Sequence, residues 1–209
     1  MKLYRFLAFI LRPLVWLLYP TKIIGKERIP KGKAVFASNH YSHIDVAIFA
    51  TALFRKGINF LAKKELFEKK RKAKFFSRMG GIPVDRGNID VKAMRKVIDV
   101  LDSGKQIVIF PEGTRRKDGA EEMLPFKSGS ALFALKTKTQ IVPITILKKP
   151  KIFRRNYLYI GEPFELTDYY GTKDFDGATQ YLRTKMIENR QALYDEFPKS
   201  KKLIAKGKK

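Results

Sequence analysis

Residues 38–45 read Ser-Asn-His-Tyr-Ser-His-Ile-Asp, and His40 and His43 are the two histidines of the chain. Imidazole is the side chain best suited to proton transfer near neutral pH. A carboxylate bonded to one ring nitrogen fixes the tautomer and leaves the other nitrogen free as a base. Asp45 is the nearby carboxylate. Five helical residues turn through about 500°, which would leave His40 and Asp45 about 140° out of phase. The two can meet if His40 lies in the loop before a helix and Asp45 lies in its first turn. Ser42 supplies an N-cap for such a start, three residues before Asp45. Ser42-x-x-Asp45 is equally an ordinary capping box, so the spacing permits the pair without requiring it.

Two further stretches set polar residues at the ends of short apolar runs. Gly81-Ile-Pro-Val-Asp-Arg86 is one. Phe110-Pro-Glu-Gly-Thr-Arg115 is the other, directly after the apolar run Gln106-Ile-Val-Ile-Phe110. If these runs are strands, both stretches lie at strand carboxyl ends, where α/β sheets gather their sites. The second, with the Arg116 that follows it, sets a carboxylate, a close-approach glycine, a hydroxyl and two guanidiniums together, and arginine there suits bidentate phosphate binding. A capped turn with solvated arginines is the plainer alternative.

Taken in order and spacing, these stretches resemble the glycerolipid acyltransferase family, whose type members act on lysophosphatidate. Asn39-His40 followed by Asp45 resembles its first block, and Gly81 to Arg86 its second. Phe110 to Arg115 is similar to the third at every position, and Val142-Pro143-Ile144 resembles the fourth. Pro83 and Asp85 depart from the second block, where aromatic and small or aliphatic residues are frequent. The resemblance covers roughly residues 24–161. It implies transfer of a fatty acyl group from acyl-CoA or acyl-carrier protein to the free hydroxyl of 1-acyl-glycerol 3-phosphate, giving phosphatidate for phospholipid biosynthesis. Another glycerol-phosphate or lysophospholipid acceptor is the alternative.

By the same resemblance, His40 is the general base and Asp45 orients it, with direct attack and no acyl-enzyme. Arg86 and Arg115 hold the acceptor phosphate, with Lys127 a further phosphate contact. Glu112 and Gly113 position the glycerol end, and Thr114 and Asn39 support with hydrogen bonds. His43 lies outside the motif and is expected to be dispensable for the chemical step. No cofactor beyond the acyl donor is implied.

Composition narrows the partners. The net charge is +24 in 209 residues, which calls for a polyanion. Eight cations fall between Lys63 and Arg78, five between Lys148 and Arg155, and six lysines between Lys199 and Lys209. Anionic phospholipid fits this balance. Nucleic acid is the remote alternative and is not expected, because the basic runs carry few interleaved aromatics and no nucleic-acid-binding signature. The absence of cysteine excludes disulfides and thiolate chemistry, and two histidines leave too few ligands for a transition-metal site.

The first 20 residues are strongly apolar, but Arg12 and Pro13 split them into runs far below the roughly 20 residues needed to span a bilayer. No small-residue cleavage site follows. An interfacial helix fits, with Tyr4, Trp16 and Tyr19 at headgroup level beside Lys2, Arg5 and Arg12. A helix packed on the protein's own core is the alternative. The expectation is a monotopic protein on the cytoplasmic face of the cell membrane.

The elements that must carry the site alternate. Strands are expected at residues 34–37, 58–62, 82–84, 106–110, 141–147 and 157–160. Helices are expected at 45–54, 69–79, 89–101, 128–137 and 178–197. That alternation predicts an α/β fold, a mixed, largely parallel sheet flanked by helices, with an N-terminal membrane-associating helical segment. The division is an interfacial helix at residues 1–20, an acyltransferase domain at 21–198 and a basic tail at 199–209.

Overall fold

The short apolar runs pair side by side. The computed structural model describes residues 2–53, 57–85, 87–88, 90–116 and 123–197. It holds one seven-stranded sheet. The strands are β1 (Thr21–Ile24), β2 (Ala34–Ser38), β3 (Ile58–Lys63), β4 (Gly81–Val84), β5 (Gln106–Ile109), β6 (Ile141–Ile146) and β7 (Asn156–Ile160). Their spatial order is β1-β7-β6-β2-β5-β3-β4. Every neighbouring pair is parallel except β6 with β7. This is the mixed, largely parallel sheet expected from the alternation.

The central strands β2, β5, β6 and β7 are buried at every residue. Burial on both faces explains why they read as unbroken apolar runs rather than as alternation. One face carries Val35, Ala37 and Ile107 against Val97 and Leu101 of α4 (Val91–Asp102), Ala131 of α5 (Gly129–Thr137), and Leu182 and Met186 of α6 (Phe175–Glu196). The other carries Phe36, Val108, Val142 and Ile144 against Tyr4 and Ala8 of α1 (Lys2–Leu18) and Phe49 of α2 (Ile44–Ala52). The basic helix α3 (Lys70–Arg78) buries no residue.

β1 escaped the sequence reading. Thr21-Lys-Ile-Ile24 is only partly buried, and it is a strand because it pairs in parallel with β7. Two helix starts are set by aspartate caps. Asp90 accepts from Ala93 N at 2.9 Å, so α4 begins at Val91 rather than near residue 89. Asp174 accepts from Gly177 N at 2.8 Å, which starts α6 at Phe175, three residues before the expected Ala178. A side-chain oxygen that takes an orphan first-turn N–H ends the frayed register there. The tail at 199–209 lies outside the described residues.

Pro13 does not divide the N-terminal segment, and α1 is one 17-residue helix. Its two faces differ. Tyr4 and Ala8 pack on the domain, while Phe6, Phe9, Ile10, Leu14 and Leu17 are exposed. Tyr4 is a correction to the headgroup-level reading. It is 1% exposed, its hydroxyl donates to Ala50 O at 3.1 Å, and burial pushes its phenol pKa up. Trp16 is also turned partly inward, with Nε1 donating to Thr51 Oγ1 at 3.3 Å. Among the described residues, no helix is long and apolar enough to cross a membrane.

Candidate active site

Four parallel neighbours, β2, β5, β3 and β4, end on the same edge of the sheet and deliver the polar stretches there. β2 stops at Ser38, and Asn39 extends its pairing with a side chain. Asn39 Nδ2 donates to Ile146 O, and Ile146 N donates to Asn39 Oδ1, both at 2.8 Å. This two-way bond ties the exit of β2 to the end of β6, and it occupies the Asn39 amide inside the protein.

His40 comes next, and its side chain meets Asp45. Asp45 Oδ2 accepts from His40 Nδ1 at 2.9 Å, from Tyr41 N at 2.7 Å and from Ser42 N at 2.8 Å. The loop thus wraps the fully buried carboxylate, which sits in the first turn of α2. Ser42 Oγ accepts from Ile44 N at 3.1 Å, so the serine does cap, and the regular helix begins at Ile44. α2 ends at Ala52, and the expected end at Phe54 lies outside the described residues. With Asp45 as acceptor, Nδ1 carries the proton and Nε2 is left with its lone pair. Among the described residues Nε2 has no hydrogen-bond partner. The ring stacks on Phe110, centroids 4.0 Å apart at 20°, and Phe49 abuts Phe110 edge-on. Two locked aromatics therefore fix the imidazole plane.

β5 ends at Ile109 and leads into the Phe110–Arg116 turn. Gly113 has φ +65° and donates to Phe110 O at 3.0 Å. A Cβ on Gly113 would lie 2.8 Å from Lys127 Cε and 2.9 Å from Cδ, so the close approach there is to the stem of Lys127. Lys127 N in turn donates to Pro111 O at 2.8 Å. Thr114 is exposed.

Glu112 corrects the sequence reading. Its side chain is fully buried against Arg116, whose Nε donates to Oε2 at 2.7 Å and to Oε1 at 2.9 Å; Leu124 N donates to Oε2 at 3.1 Å. The carboxylate shapes the turn instead of facing a glycerol. Arg116, absent from the expected site, is the residue that joins the blocks. Its N–H donates to His40 O at 2.8 Å, and its guanidinium carbon lies 5.7 Å from the Tyr41 ring centre. The i, i+4 spacing of Glu112 and Arg116 was the available signal.

The second stretch follows β4. Asp85 accepts from Lys64 Nζ, from Gly87 N at 3.0 Å and from Asn88 Nδ2 at 3.3 Å. The Lys64 bond foremost holds the Asp85 carboxyl down at about 2 and raises the lysine in return. Arg86 lies outside the described residues. The fourth stretch is structural: Pro143 O, within β6, accepts from Gly161 N at 2.9 Å and from Asn189 Nδ2 at 3.3 Å, which fastens α6 to the sheet.

His40, His43 and Arg115 share the lining of a cavity of about 590 Å³ between the sheet and helices α1, α2 and α3. Its walls are mostly apolar, with Ala8 and Leu11 from α1, Ala47 from α2, and Phe75 and Phe76 from α3. Its size is that of a ligand pocket, about 300–1,000 Å³. Lys63, the last residue of β3, also lines it. The sequence reading passed over Lys63, although the strand-end rule pointed there. Asn39, Glu112, Gly113, Thr114 and Lys127 are not among the residues that line this cavity. His43 is less of a bystander than expected, since Arg115 Nη1 donates to its Nε2 at 2.6 Å.

Comparison with known proteins gives the family. Residues 20–147 match the family model described as Acyltransferase. The 1-acyl-sn-glycerol-3-phosphate acyltransferase of Bacillus subtilis is 30% identical over 177 residues, covering 80% of this chain and 85% of that protein. The enzyme of the same description from Helicobacter pylori is 36% identical, covering 79% and 72%. The one from Cocos nucifera is 30% identical, covering 94% and 65%. Among solved structures, the 1-acyl-sn-glycerophosphate acyltransferase PlsC from Thermotoga maritima superposes with a TM-score of 0.66 at 25% identity, covering 90% of this chain and 78% of that one. The match of residues 20–147 to this family model, together with relatives at least 30% identical over about four-fifths of the chain, places the chain in the acyltransferase family.

Proposed function

We propose that the chain moves a fatty acyl group from a thioester, acyl-CoA or acyl-carrier protein, to the free hydroxyl of 1-acyl-glycerol 3-phosphate, giving phosphatidate. The observation that carries this reading is the His40–Asp45 pair at the wall of an apolar cavity, with His40 Nε2 unpartnered among the described residues. Nε2 takes the proton of the acceptor hydroxyl as its oxygen attacks the thioester carbonyl. Asp45 holds the Nδ1–H tautomer and stabilises the imidazolium that forms. The tetrahedral intermediate collapses, the C–S bond breaks, and the imidazolium returns the proton to the departing thiolate. Attack is direct, in keeping with a chain that has no cysteine.

The apolar cavity takes an acyl chain, each buried methylene contributing about 0.8 kcal/mol. Arg115 at the cavity and Arg86 after β4 meet the acceptor phosphate, with Lys63 and Lys127 as further cations. Glu112 and Gly113 act through the turn they build, and Asn39 and Thr114 support it. The acyl donor is the one co-substrate required. The domain sits at an anionic phospholipid surface, on the cytoplasmic face of the cell membrane, held by the outward face of α1 and by its excess cations. Nucleic acid is not its partner.

A panel of acceptors tests this with purified protein, a long-chain acyl-CoA or acyl-carrier protein, and product mass as readout. Phosphatidate from 1-acyl-glycerol 3-phosphate as the dominant product is expected. Faster acylation of glycerol 3-phosphate or of a lysophospholipid with a larger headgroup would overturn the acceptor assignment.

A further inference from the structure

The loop between β6 and β7 carries an apolar tip that nothing in the described chain covers. Phe153 is 70% exposed and Ile152 is 53% exposed. Phe153 has φ +53°, a left-handed conformation that a bulky side chain rarely adopts. The loop is nonetheless firmly built. Asn156 Oδ1 accepts from Lys151 N at 3.1 Å, and its Nδ2 donates to Arg154 O at 2.9 Å. Phe153 N donates to Leu18 O, and Asn156 N to Pro20 O, each at 2.7 Å. The tip is therefore fixed to the end of α1, one residue beyond Leu17, which is 67% exposed. The outward stripe of α1, running through Phe6, Ile10, Leu14 and Leu17, continues at the tip.

The surroundings of the tip are cationic. Lys151, Arg154 and Arg155 are exposed and Lys148 is half-buried. Among the described residues none of the four pairs with a carboxylate. Burial, and then the charges of Lys151 and Arg154, push the Lys148 amine pKa down, as expected of like charges crowded without counter-ions. An aromatic and an aliphatic side chain flanked along the loop by cations match a bilayer, where acyl chains lie beneath phosphates. A nucleic acid would meet the cations and leave the apolar tip in water.

We infer that the β6–β7 loop is a second bilayer-inserting element, which seats Ile152 and Phe153 among the lipids of an anionic membrane alongside the exposed face of α1. This rests on the membrane reading given above and adds a consequence to it. A single interfacial helix leaves the domain free to roll about its axis, and a second insertion point at one end removes that freedom. The inner face of α1 lines the cavity, so the fixed roll holds the cavity at the level of the lipids.

Trp16 is the one tryptophan of the chain, so the doubly substituted protein Trp16→Phe/Phe153→Trp carries a single indole at the tip. It is mixed with vesicles of phosphatidylglycerol and phosphatidylcholine, with and without brominated acyl chains, and binding is followed in parallel by sedimentation. The expected result is a blue-shifted emission quenched by the brominated chains. A second protein, Ile152→Ser/Phe153→Ser, is expected to bind these vesicles about tenfold more weakly at unchanged Tm, from the apolar area removed. Tight vesicle binding with an unshifted, unquenched indole and no loss in the serine protein would overturn the loop's role and leave α1 as the anchor. Failure of the unsubstituted protein to bind would overturn the membrane reading and this inference together.

Discussion

Arg115 Nη1 donates a 2.6 Å hydrogen bond to His43 Nε2 across 72 residues of sequence. The bond sets the guanidinium of a cavity-lining arginine, and under the proposed function His43 would act on the acceptor through Arg115 and not on the proton transfer. His43→Ala is expected to raise the acceptor's KM about fivefold, the effect of roughly 1 kcal/mol, with kcat little changed. His43→Asn, which keeps an acceptor, should recover part of the loss. Arg115→Ala should raise KM further. A fall in kcat with unchanged KM for His43→Ala would place the residue in the chemical step instead.

Glu112 and Arg116 form a fully buried pair. Removing one partner strands the other's charge in the interior, at about 3–5 kcal/mol. Glu112→Gln is therefore expected to lower Tm by about 10 °C in a chain of this size. The double substitution Glu112→Met/Arg116→Met should lower it less than either single change. Additive losses in thermal melts would show that the pair is not coupled.

Asp85 is held at about 2 by its bond from Lys64 and then by the donors of Gly87 and Asn88. Its folded pKa lies below its unfolded one. Its contribution to stability is therefore complete above the ordinary aspartate range and lost as pH falls through about 2. Carboxyl NMR titration should show a midpoint near that value, rising toward the ordinary range in Lys64→Ala. An ordinary midpoint in the unsubstituted protein would contradict the pairing.

Ala8 is buried on α1 and lines the cavity. Ala8→Phe fills space there, at about 1–3 kcal/mol of overpacking. Turnover with the longest acyl chains should fall most, and short chains should be spared. Equal losses at every chain length would separate the cavity from acyl binding.

Much of this was legible along the chain, for physical reasons. Strands buried on both faces must be apolar throughout, so β2, β5 and β6 stood out, and the polar residues after them marked the sheet edge. Ser42 and Asp45 announced a helix start, which is also what lets Asp45 reach His40. What stayed hidden depended on tertiary partners. β1 is a strand because β7 lies beside it. Tyr4 faces inward because of where α1 meets α2, and hydrophobicity alone could not separate it from the exposed Phe6. The contact of His43 with Arg115 joins two loops that only the sheet brings together. The role of Glu112 on the glycerol follows from the resemblance alone, whereas its i, i+4 arginine takes the carboxylate into the interior.

The central claim is that His40 is the base. The most direct test is the turnover of His40→Ala with 1-acyl-glycerol 3-phosphate and a long-chain acyl-CoA, at saturating concentrations, beside a thermal melt of the same sample. A general base contributes about 10²–10⁴-fold, so kcat should fall by about that factor while Tm and vesicle binding hold. Near-normal turnover by the folded His40→Ala protein would contradict the account.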